Sequence, residues 1–286
     1  MAALSWPVLA AVLFGALLHA SWNALIKGGR DKALDTALIH GLGIVVALPV
    51  LVFVGLPPRE AWPFLAASVV VHLGYYVALV GAYRHGDLGL TYPVMRGTAP
   101  LLVALASAAV IGEPLSAAAW AGVLAVSGGV IAIGLSRSAV GGHPGKALRY
   151  ALANAAIIAL YTLIDGLGVR AAGNAASYVA TLFVFEGLPY LALVLWRRRA
   201  AFDATLAHMA GRWKLALAGT AASFGSYAIA LWAMTQAPVA MVAALRETSV
   251  LFAAALGALW LKEGFGPLRA AGTALVVAGV MALRLA

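Results

Sequence analysis

Long apolar runs separated by short polar stretches dominate this sequence. Ten of them approach the length of about 20 residues that a helix needs to span a bilayer. They lie near residues 5–26, 35–56, 61–82, 90–111, 116–135, 147–168, 175–196, 213–234, 238–261 and 266–285. Backbone polar groups in lipid must pair within their own segment, and the runs are about twice as long as membrane β-strands. We therefore predict ten transmembrane helices.

The composition supports a membrane protein surrounded by lipid. Of the 286 residues, 64% are hydrophobic and 10% are charged, with a mean hydropathy of +0.97. A soluble domain carries about 25% charged residues. The net charge of +9 fits Lys and Arg in cytoplasmic loops, so we expect no nucleic acid partner. The absence of Cys excludes disulfides, thiolate metal sites and a cysteine nucleophile, and we expect no cofactor or metal.

Two stretches of 40 residues resemble each other. Residues 96–135 align with residues 246–285 at a constant offset of 150, and 13 of the 40 positions are identical. The identities include Arg96/Arg246, Thr98/Thr248, Glu113/Glu263, Gly122/Gly272 and Gly129/Gly279. We therefore predict two related halves, residues 1–138 with helices one to five and residues 147–286 with helices six to ten, joined by a linker at 139–146.

An odd number of spans in each half fixes the symmetry. A repeat of five spans enters the membrane in the opposite direction the second time. The predicted fold is therefore an all-α integral membrane protein, with ten transmembrane helices arranged as two inverted five-helix repeats around a central cavity. Transporters commonly have this design, with the substrate site near the midplane between the repeats.

The loop charges predict the orientation. The loops after spans one, three, five, seven and nine hold 14 Lys and Arg residues, whereas the other side holds Arg59, Arg170 and Arg284. Positive loops stay in the cytoplasm, so both termini are predicted to lie outside.

Polar or aromatic residues recur at helical spacing in spans one, three, four, six, eight and nine, so these spans should line the cavity. Spans two, five, seven and ten are mostly apolar, and we place them at the periphery. The candidate substrate-binding residues are His19, Trp22, Asn23, His72, Tyr75, Tyr76, Tyr92, Met95, Arg96, Tyr161, Ser223, Ser226, Tyr227, Arg246 and Ser249. The structural alternative is an interfacial aromatic belt, or polar side chains that tie helices together.

Arg96 and Arg246 are the most informative residues. A charge well inside a span is costly and usually faces the bundle interior. In an inverted repeat, Arg96 should lie nearer the cytoplasm and Arg246 nearer the outside. Each could bind a substrate carboxylate or act as a gate. Alternatively, each could form a structural ion pair, for example with Glu247 or Glu186.

Acidic residues within the spans are candidates for proton coupling. We assign this role to Asp165, which we place at the end of helix six, to Glu186 in helix seven, and to Glu247. Glu113 and Glu263 lie in turns, where capping or pairing is the expected role.

The spacing Glu113-x8-Gly122-x6-Gly129, repeated as Glu263-x8-Gly272-x6-Gly279, resembles the doubled EamA repeat of the drug/metabolite transporter superfamily. The resemblance covers the whole chain. Within the superfamily the sequence is similar to bacterial YddG-type exporters of aromatic and other neutral amino acids.

The resemblance implies a bacterial inner-membrane protein. Its cavity would be lined by helices one, three, four, six, eight and nine, with aromatic side chains at Tyr75, Tyr76, Tyr92 and Tyr161. Many relatives have both termini in the cytoplasm, which differs from the orientation that the loop charges predict.

The expected function is a secondary transporter that exports small metabolites, above all neutral or aromatic amino acids, by alternating access. The sequence has no P-loop, so gradients rather than ATP must supply the energy. The alternatives are a sugar-phosphate-like exchanger, for which two deep Arg residues are few, and a non-transporting scaffold. A membrane-embedded enzyme lacks support, because HExxH, aspartate-rich metal motifs and a Ser/His/Asp cluster are missing. Ten helices can form a complete path, so a monomer would suffice.

Overall fold

The computed structural model describes residues 4–27, 29, 31–85, 88–135, 144–261 and 266–286, and the side chains of residues 27, 76–77, 79–90, 144 and 256–261 lie outside this description. These residues form α-helices and short 3-10 or π turns, with no β-strand among them. The α-helices are α1 (Trp6–Lys27), α2 (Lys32–Val54), α3 (Trp62–His85), α4 (Leu88–Ala106), α5 (Ala117–Leu135), α6 (Pro144–Ala172), α7 (Ala175–Arg197), α8 (Phe202–Met234), α9 (Val239–Arg246), α10 (Ser249–Leu261) and α11 (Pro267–Leu285).

The helices follow the predicted spans closely. Eight helices in the described part of the chain are long and apolar enough to cross a membrane. Helix α3 occupies the third predicted span, and α9 with α10 occupies the ninth. The all-helical membrane fold is therefore confirmed, with the ninth span divided into two helices.

Local sequence signals explain where helices begin and end. Asp31 caps α2, because its carboxylate accepts a bond from the Leu34 N–H at 3.1 Å. Asn174 caps α7 in the same way, accepting from the Ala176 N–H at 2.9 Å. Between α6 and α7 the chain turns at Gly173, whose φ of +67° lies in the region that only glycine adopts easily.

Two predicted loops are shorter than the sequence suggested. The polar stretch 197–214 was predicted as a loop, but α8 already begins at Phe202. The first turns of α8 expose Phe202 and Leu206 among polar residues. The stretch is polar because the helix extends beyond the apolar core. Helix α6 likewise begins at Pro144, inside the predicted linker, whose residues 139–143 lie outside the described part of the chain.

The contacts between helices are symmetric: replacing each helix by its equivalent in the other half gives the same set of large interfaces. The largest interfaces join α5 to α11, α3 to α6, α2 to α7 and α1 to α8. Exchanging the halves maps α3–α6 onto α8–α1 and maps each of the pairs α5–α11 and α2–α7 onto itself. This is the pattern of contacts that a two-fold relation between the halves requires.

The repeated glycines lie where α5 crosses α11. A Cβ placed on Gly129 would lie 2.6 Å from the Gly272 carbonyl oxygen, and a Cβ on Gly272 would lie 2.8 Å from the Gly129 oxygen. Gly122 and Gly279 face each other in the same way, at 3.0 and 2.9 Å. Small residues let helix backbones approach closely in membranes. The glycines conserved between the two repeats therefore join the repeats to each other.

The exterior is apolar, as lipid requires. On α2 the side chains of Val52 and Phe53 are 82% and 88% exposed. The largest buried cluster lies where the halves meet, with contributions from Val12, Val103 and Leu245.

Candidate substrate site

A narrow cavity lies between α4 of the first half and α6 and α9 of the second. Its lining includes Arg96, Val103, Ile158, Tyr161, Arg246 and Glu247. Three of the predicted binding residues, Arg96, Tyr161 and Arg246, therefore meet at one place. The two arginines line one cavity because α4 and α9 are in contact there, and their depths in the membrane remain a prediction.

An ion pair links the halves across this cavity. Arg96 Nε lies 2.9 Å from Glu247 Oε2, and their side chains are 12% and 6% exposed. The alternative of a pair with Glu247 is thus the arrangement found for Arg96. Breaking such a buried pair is costly unless each group gains a new partner.

The break in the ninth span produces this position of Glu247. Helix α9 ends at Arg246, Glu247 and Thr248 form a turn, and α10 begins at Ser249. The Thr248 hydroxyl donates to the Leu245 carbonyl oxygen at 2.7 Å, which offers the backbone an alternative to the helix. The prediction of one continuous helix over 238–261 was therefore wrong. Interrupted helices at buried charges are typical of transporter binding sites.

Arg246 connects the cavity to a buried aspartate. Its guanidinium carbon lies 5.3 Å from the centroid of the Tyr227 ring, a distance at which cation–π attraction operates. The Tyr227 hydroxyl donates to Asp165 Oδ2, and the Tyr178 hydroxyl donates to Asp165 Oδ1 at 2.9 Å. Asp165 is fully buried within α6, which continues to Ala172. The prediction that Asp165 ends its helix was therefore wrong.

His72 and Glu186 form a second buried pair. His72 Nδ1 lies 2.8 Å from Glu186 Oε1 and 2.9 Å from the Ser68 carbonyl oxygen. The imidazole stacks on the Tyr161 ring, with centroids 4.2 Å apart. Glu186 belongs to α7, which the sequence placed at the periphery. Helix α7 instead faces α3 and α6 as well as α2, because its first half is buried.

Aromatic and sulfur-containing side chains border the cavity. Tyr75 and Tyr92 pack against the cluster that contains Met95 and Tyr161. The sulfur of Met95 lies 2.9 Å from the amide nitrogen of Asn154, which is fully buried. The predicted side chain of Tyr76 lies outside the described residues.

Helix α1 contributes less to the cavity lining than predicted. The His19 and Trp22 rings meet edge to face at 5.4 Å, and His19 lies within electrostatic reach of both arginines. The Asn23 amide donates to the His19 carbonyl oxygen at 2.8 Å, so it satisfies its own helix instead.

The serines of spans eight and nine pack away from the cavity. Ser226 and Ser249 are buried and Ser223 is half-buried. In the described part of the chain none of the three contributes to the cavity lining.

The sequence reasoning missed Tyr178, whose side chain is fully buried. A lone Tyr near the start of a span is typical of an interfacial belt. The residue that makes space for Tyr178 is Gly168 on the neighbouring helix α6, because a Cβ there would lie 2.4 Å from the Tyr178 hydroxyl. Among the described residues, no three His, Asp or Glu side chains could hold a metal ion together.

Glu113 joins the two halves at one end of the bundle. Its Oε1 lies 2.7 Å from Arg170 Nη1, and its Oε2 accepts from the Val239 N–H, at the start of α9, at 3.0 Å. Arg170 also donates to the Met234 carbonyl oxygen at 2.8 Å. The prediction that Glu113 caps or pairs is confirmed, whereas Glu263 lies outside the described residues.

Residues at the start of α2 join the two halves at the opposite end of the bundle. Asp31 Oδ2 accepts from Arg198 Nη2 at 2.8 Å, and Asp35 Oδ1 accepts from Arg212 Nε at 2.7 Å. Partial burial of Asp31 acts to raise its pKa, but the Leu34 N–H and the Arg198 guanidinium outweigh it, so the pKa lies below its usual value. Ion pairs thus connect the two halves at both ends of the bundle.

These features define a class of protein, a multi-pass membrane bundle with a charged, aromatic site between two inverted halves. Comparison with known proteins is more specific: residues 145–285 match the EamA-like transporter family. The match covers the second half of the chain and supports the resemblance there.

A solved crystal structure shares the fold over nearly the whole chain. It matches with a TM-score of 0.74 and 21% identity, and the match covers 96% of this chain and 98% of the other. A search of curated proteins found no match.

Proposed function

We propose that the chain is a secondary transporter that exports small zwitterionic solutes, above all neutral and aromatic amino acids, across the bacterial inner membrane by alternating access. The observation that carries this proposal is the buried pair of Arg96 and Glu247, which joins the halves beside Tyr161. The family of residues 145–285 supports the broader conclusion, a membrane transporter of small solutes.

An amino acid matches this site in charge. Its carboxylate can bind Arg96 and Arg246, while its ammonium group can bind Glu247. Breaking a buried ion pair leaves uncompensated charges and is strongly unfavourable. A zwitterion avoids this cost, because it supplies each charged group with a new partner. The Tyr161 ring, with Tyr75 and Tyr92 near it, offers an aromatic surface to the substrate side chain.

The ion pairs at the two ends support alternating access. Glu113 with Arg170 joins the halves at one end, and Asp31 with Arg198 joins them at the other. These ion pairs lie at the two ends of the bundle, and the cavity between them is narrow. In the proposed cycle each end opens in turn, as one repeat moves against the other. The moving units are residues 1–138 and 147–286, and a single chain contains the whole path.

The runner-up substrate is a phosphorylated solute. Its supporting observation is that Arg96 and Arg246 line one cavity. Glu247 directly follows Arg246 in the chain and pairs with Arg96, so a dianionic phosphate would face a carboxylate as well. The charge balance therefore favours a zwitterion.

Counterflow in proteoliposomes tests the proposal. Vesicles loaded with unlabelled substrate would receive labelled neutral and aromatic amino acids, or a labelled sugar phosphate. We expect saturable amino-acid exchange that falls at least tenfold in Arg96→Ala. The matched control is Arg59→Ala, because Arg59 is exposed in the turn before α3 and its loss should leave exchange unchanged. Exchange of the sugar phosphate alone would contradict the proposal and select the runner-up.

A further inference from the structure

A cluster of buried polar groups lies behind the substrate cavity, and no step of substrate binding uses it. We call Ser68, His72, Asp165 and Glu186 the acid cluster. Three helices contribute to it, namely α3, α6 and α7. Ser68 and Asp165 are fully buried, and the side chains of His72 and Glu186 are each 14% exposed. Buried ionisable residues of this kind in a membrane span usually mark an ion or proton pathway.

The contacts of His72 Nδ1 allow a proton to bind between His72 and Glu186. Nδ1 has two acceptors within hydrogen-bonding distance, the Ser68 carbonyl oxygen at 2.9 Å and Glu186 Oε1 at 2.8 Å. The Ser68 hydroxyl lies 3.2 Å from Nδ1 and can donate to this nitrogen when it carries no proton. Glu186 Oε1 is buried and has no aligned donor. A proton held between Nδ1 and Oε1 would therefore give the carboxylate oxygen a partner, and its loss would leave Nδ1 bonded to the Ser68 hydroxyl.

Several titratable groups surround the pair. Those that face His72 or Glu186 come from α2, α6, α7 and α8, and they are His40, Tyr161, Asp165, Tyr178 and Tyr227. With the pair itself, two carboxylates and two imidazoles share this region, and a proton gained or lost changes its net charge by one.

Two contacts connect the acid cluster to the substrate cavity. The His72 ring stacks on Tyr161, which lines the cavity, at 4.2 Å and an interplanar angle of 29°. Asp165 accepts a hydrogen bond from Tyr227, and the Arg246 guanidinium packs on the Tyr227 ring. The acid cluster is therefore in contact with Tyr161 directly and with Arg246 through a single side chain, so a change in its charge can act on both.

We propose that His72 and Glu186 bind the proton that this chain exchanges for its substrate. The inference rests on the proposed transport function and names its coupling ion. A proton enters from one side of the membrane, is held between Nδ1 and Oε1, and leaves on the other side, while no bond of the substrate changes. Because an amino-acid zwitterion has no net charge, exchange for one proton moves one positive charge per cycle.

The test separates coupling from binding. Proteoliposomes with the wild-type chain would accumulate labelled amino acid when the interior is acidic, and would show counterflow without a pH gradient. We expect Glu186→Gln to lose the stimulation by the gradient, at least fivefold, while its counterflow stays within about twofold of wild type. Glu60→Gln is the matched control, because Glu60 is exposed in the turn before α3 and both properties should persist.

A second variant and a second readout protect the test against misfolding. His72→Gln should show the same loss of gradient stimulation, and size-exclusion chromatography should show a monodisperse protein for each variant. In weakly buffered detergent, addition of amino acid should release protons from wild type and not from Glu186→Gln. Persistent gradient stimulation in both variants would overturn the inference, as would wild-type accumulation that does not depend on the gradient. Absence of any wild-type flux would instead count against the proposed function itself.

Discussion

Adding one methyl group at the crossing of α5 and α11 tests the packing of the two halves. In Gly129→Ala, the new Cβ would lie 2.6 Å from the Gly272 carbonyl oxygen, 2.6 Å from Val276 Cγ2 and 2.9 Å from the Val276 nitrogen. Ordinary contacts of a Cβ begin at 3.4 Å, so the helices must separate by 3.4 − 2.6, or 0.8 Å. Two of these three neighbours are backbone atoms, which cannot rotate away.

The expected cost follows from this overlap. Overpacking a close-packed interior costs about 1–3 kcal/mol. Alanine gains about 1 kcal/mol over glycine in a helix, which partly hides the cost in a single comparison. Gly128→Ala removes this ambiguity, because its Cβ would lie 3.5 Å from Leu275 Cδ2, an ordinary contact. The difference between the two variants isolates the crossing.

Thermal unfolding in detergent, followed by intrinsic Trp fluorescence, measures this difference. Gly128→Ala should unfold at or above the wild-type temperature, and Gly129→Ala should unfold several degrees lower, at roughly 2–4 °C for each kcal/mol. Gly272→Ala should behave like Gly129→Ala, because the two residues face each other. If Gly129→Ala matched Gly128→Ala, the close crossing described here would be refuted.

Three further perturbations follow from the buried charges. Arg96→Gln alone should lower the free energy of unfolding by about 3–5 kcal/mol, because it leaves the buried Glu247 carboxylate without its partner. Adding Glu247→Gln should recover part of this loss. Denaturation in detergent would show whether the double variant is more stable than Arg96→Gln. Glu113→Gln should lose about 1–3 kcal/mol through its ion pair and its helix-capping bond, and accelerated proteolysis of the turn after α4 would report it. The lowered pKa of Asp31 stabilises the fold above the usual carboxyl pKa of about 3.9, and this stabilisation is lost as the pH falls through the lower folded value. The stability difference between wild type and Asp31→Asn should therefore vanish in acid, and a constant difference from pH 3 to 7 would contradict the assignment to Arg198.

The membrane fold follows from the sequence because lipid imposes few choices. Ten apolar runs predict helices, since only internal pairing can satisfy their backbone groups. The repeat that aligns Gly122 with Gly272 and Gly129 with Gly279 predicts two halves, and five spans in each half predict that the halves are inverted. The remaining errors lie at helix ends and breaks. Glu247 and Thr248 interrupt a run that reads as continuous, since the effect of a local side-chain bond on the backbone is visible only in three dimensions.

The candidate site was less predictable. A deep Arg must find a partner, which selected Arg96 and Arg246, but the choice of Glu247 depends on how α4 crosses α9. Glu186 and Tyr178 lie on α7, whose apolar composition suggested the periphery. Their burial depends on contacts with α3 and α6, which have no local signal in α7. The serines of α8 illustrate the converse, because a polar stripe does not establish which neighbour it faces.

The central claim is that Arg96, Arg246 and Glu247 bind a zwitterion between the halves. The most direct measurement is inhibition of amino-acid counterflow by analogues that lack one charge. We predict that tryptophan inhibits strongly, whereas tryptamine, without the carboxylate, and indole-3-propionate, without the ammonium group, inhibit at least tenfold more weakly. Equal inhibition by all three compounds would contradict the claim, because it would show that the two charges of the substrate do not contribute to binding.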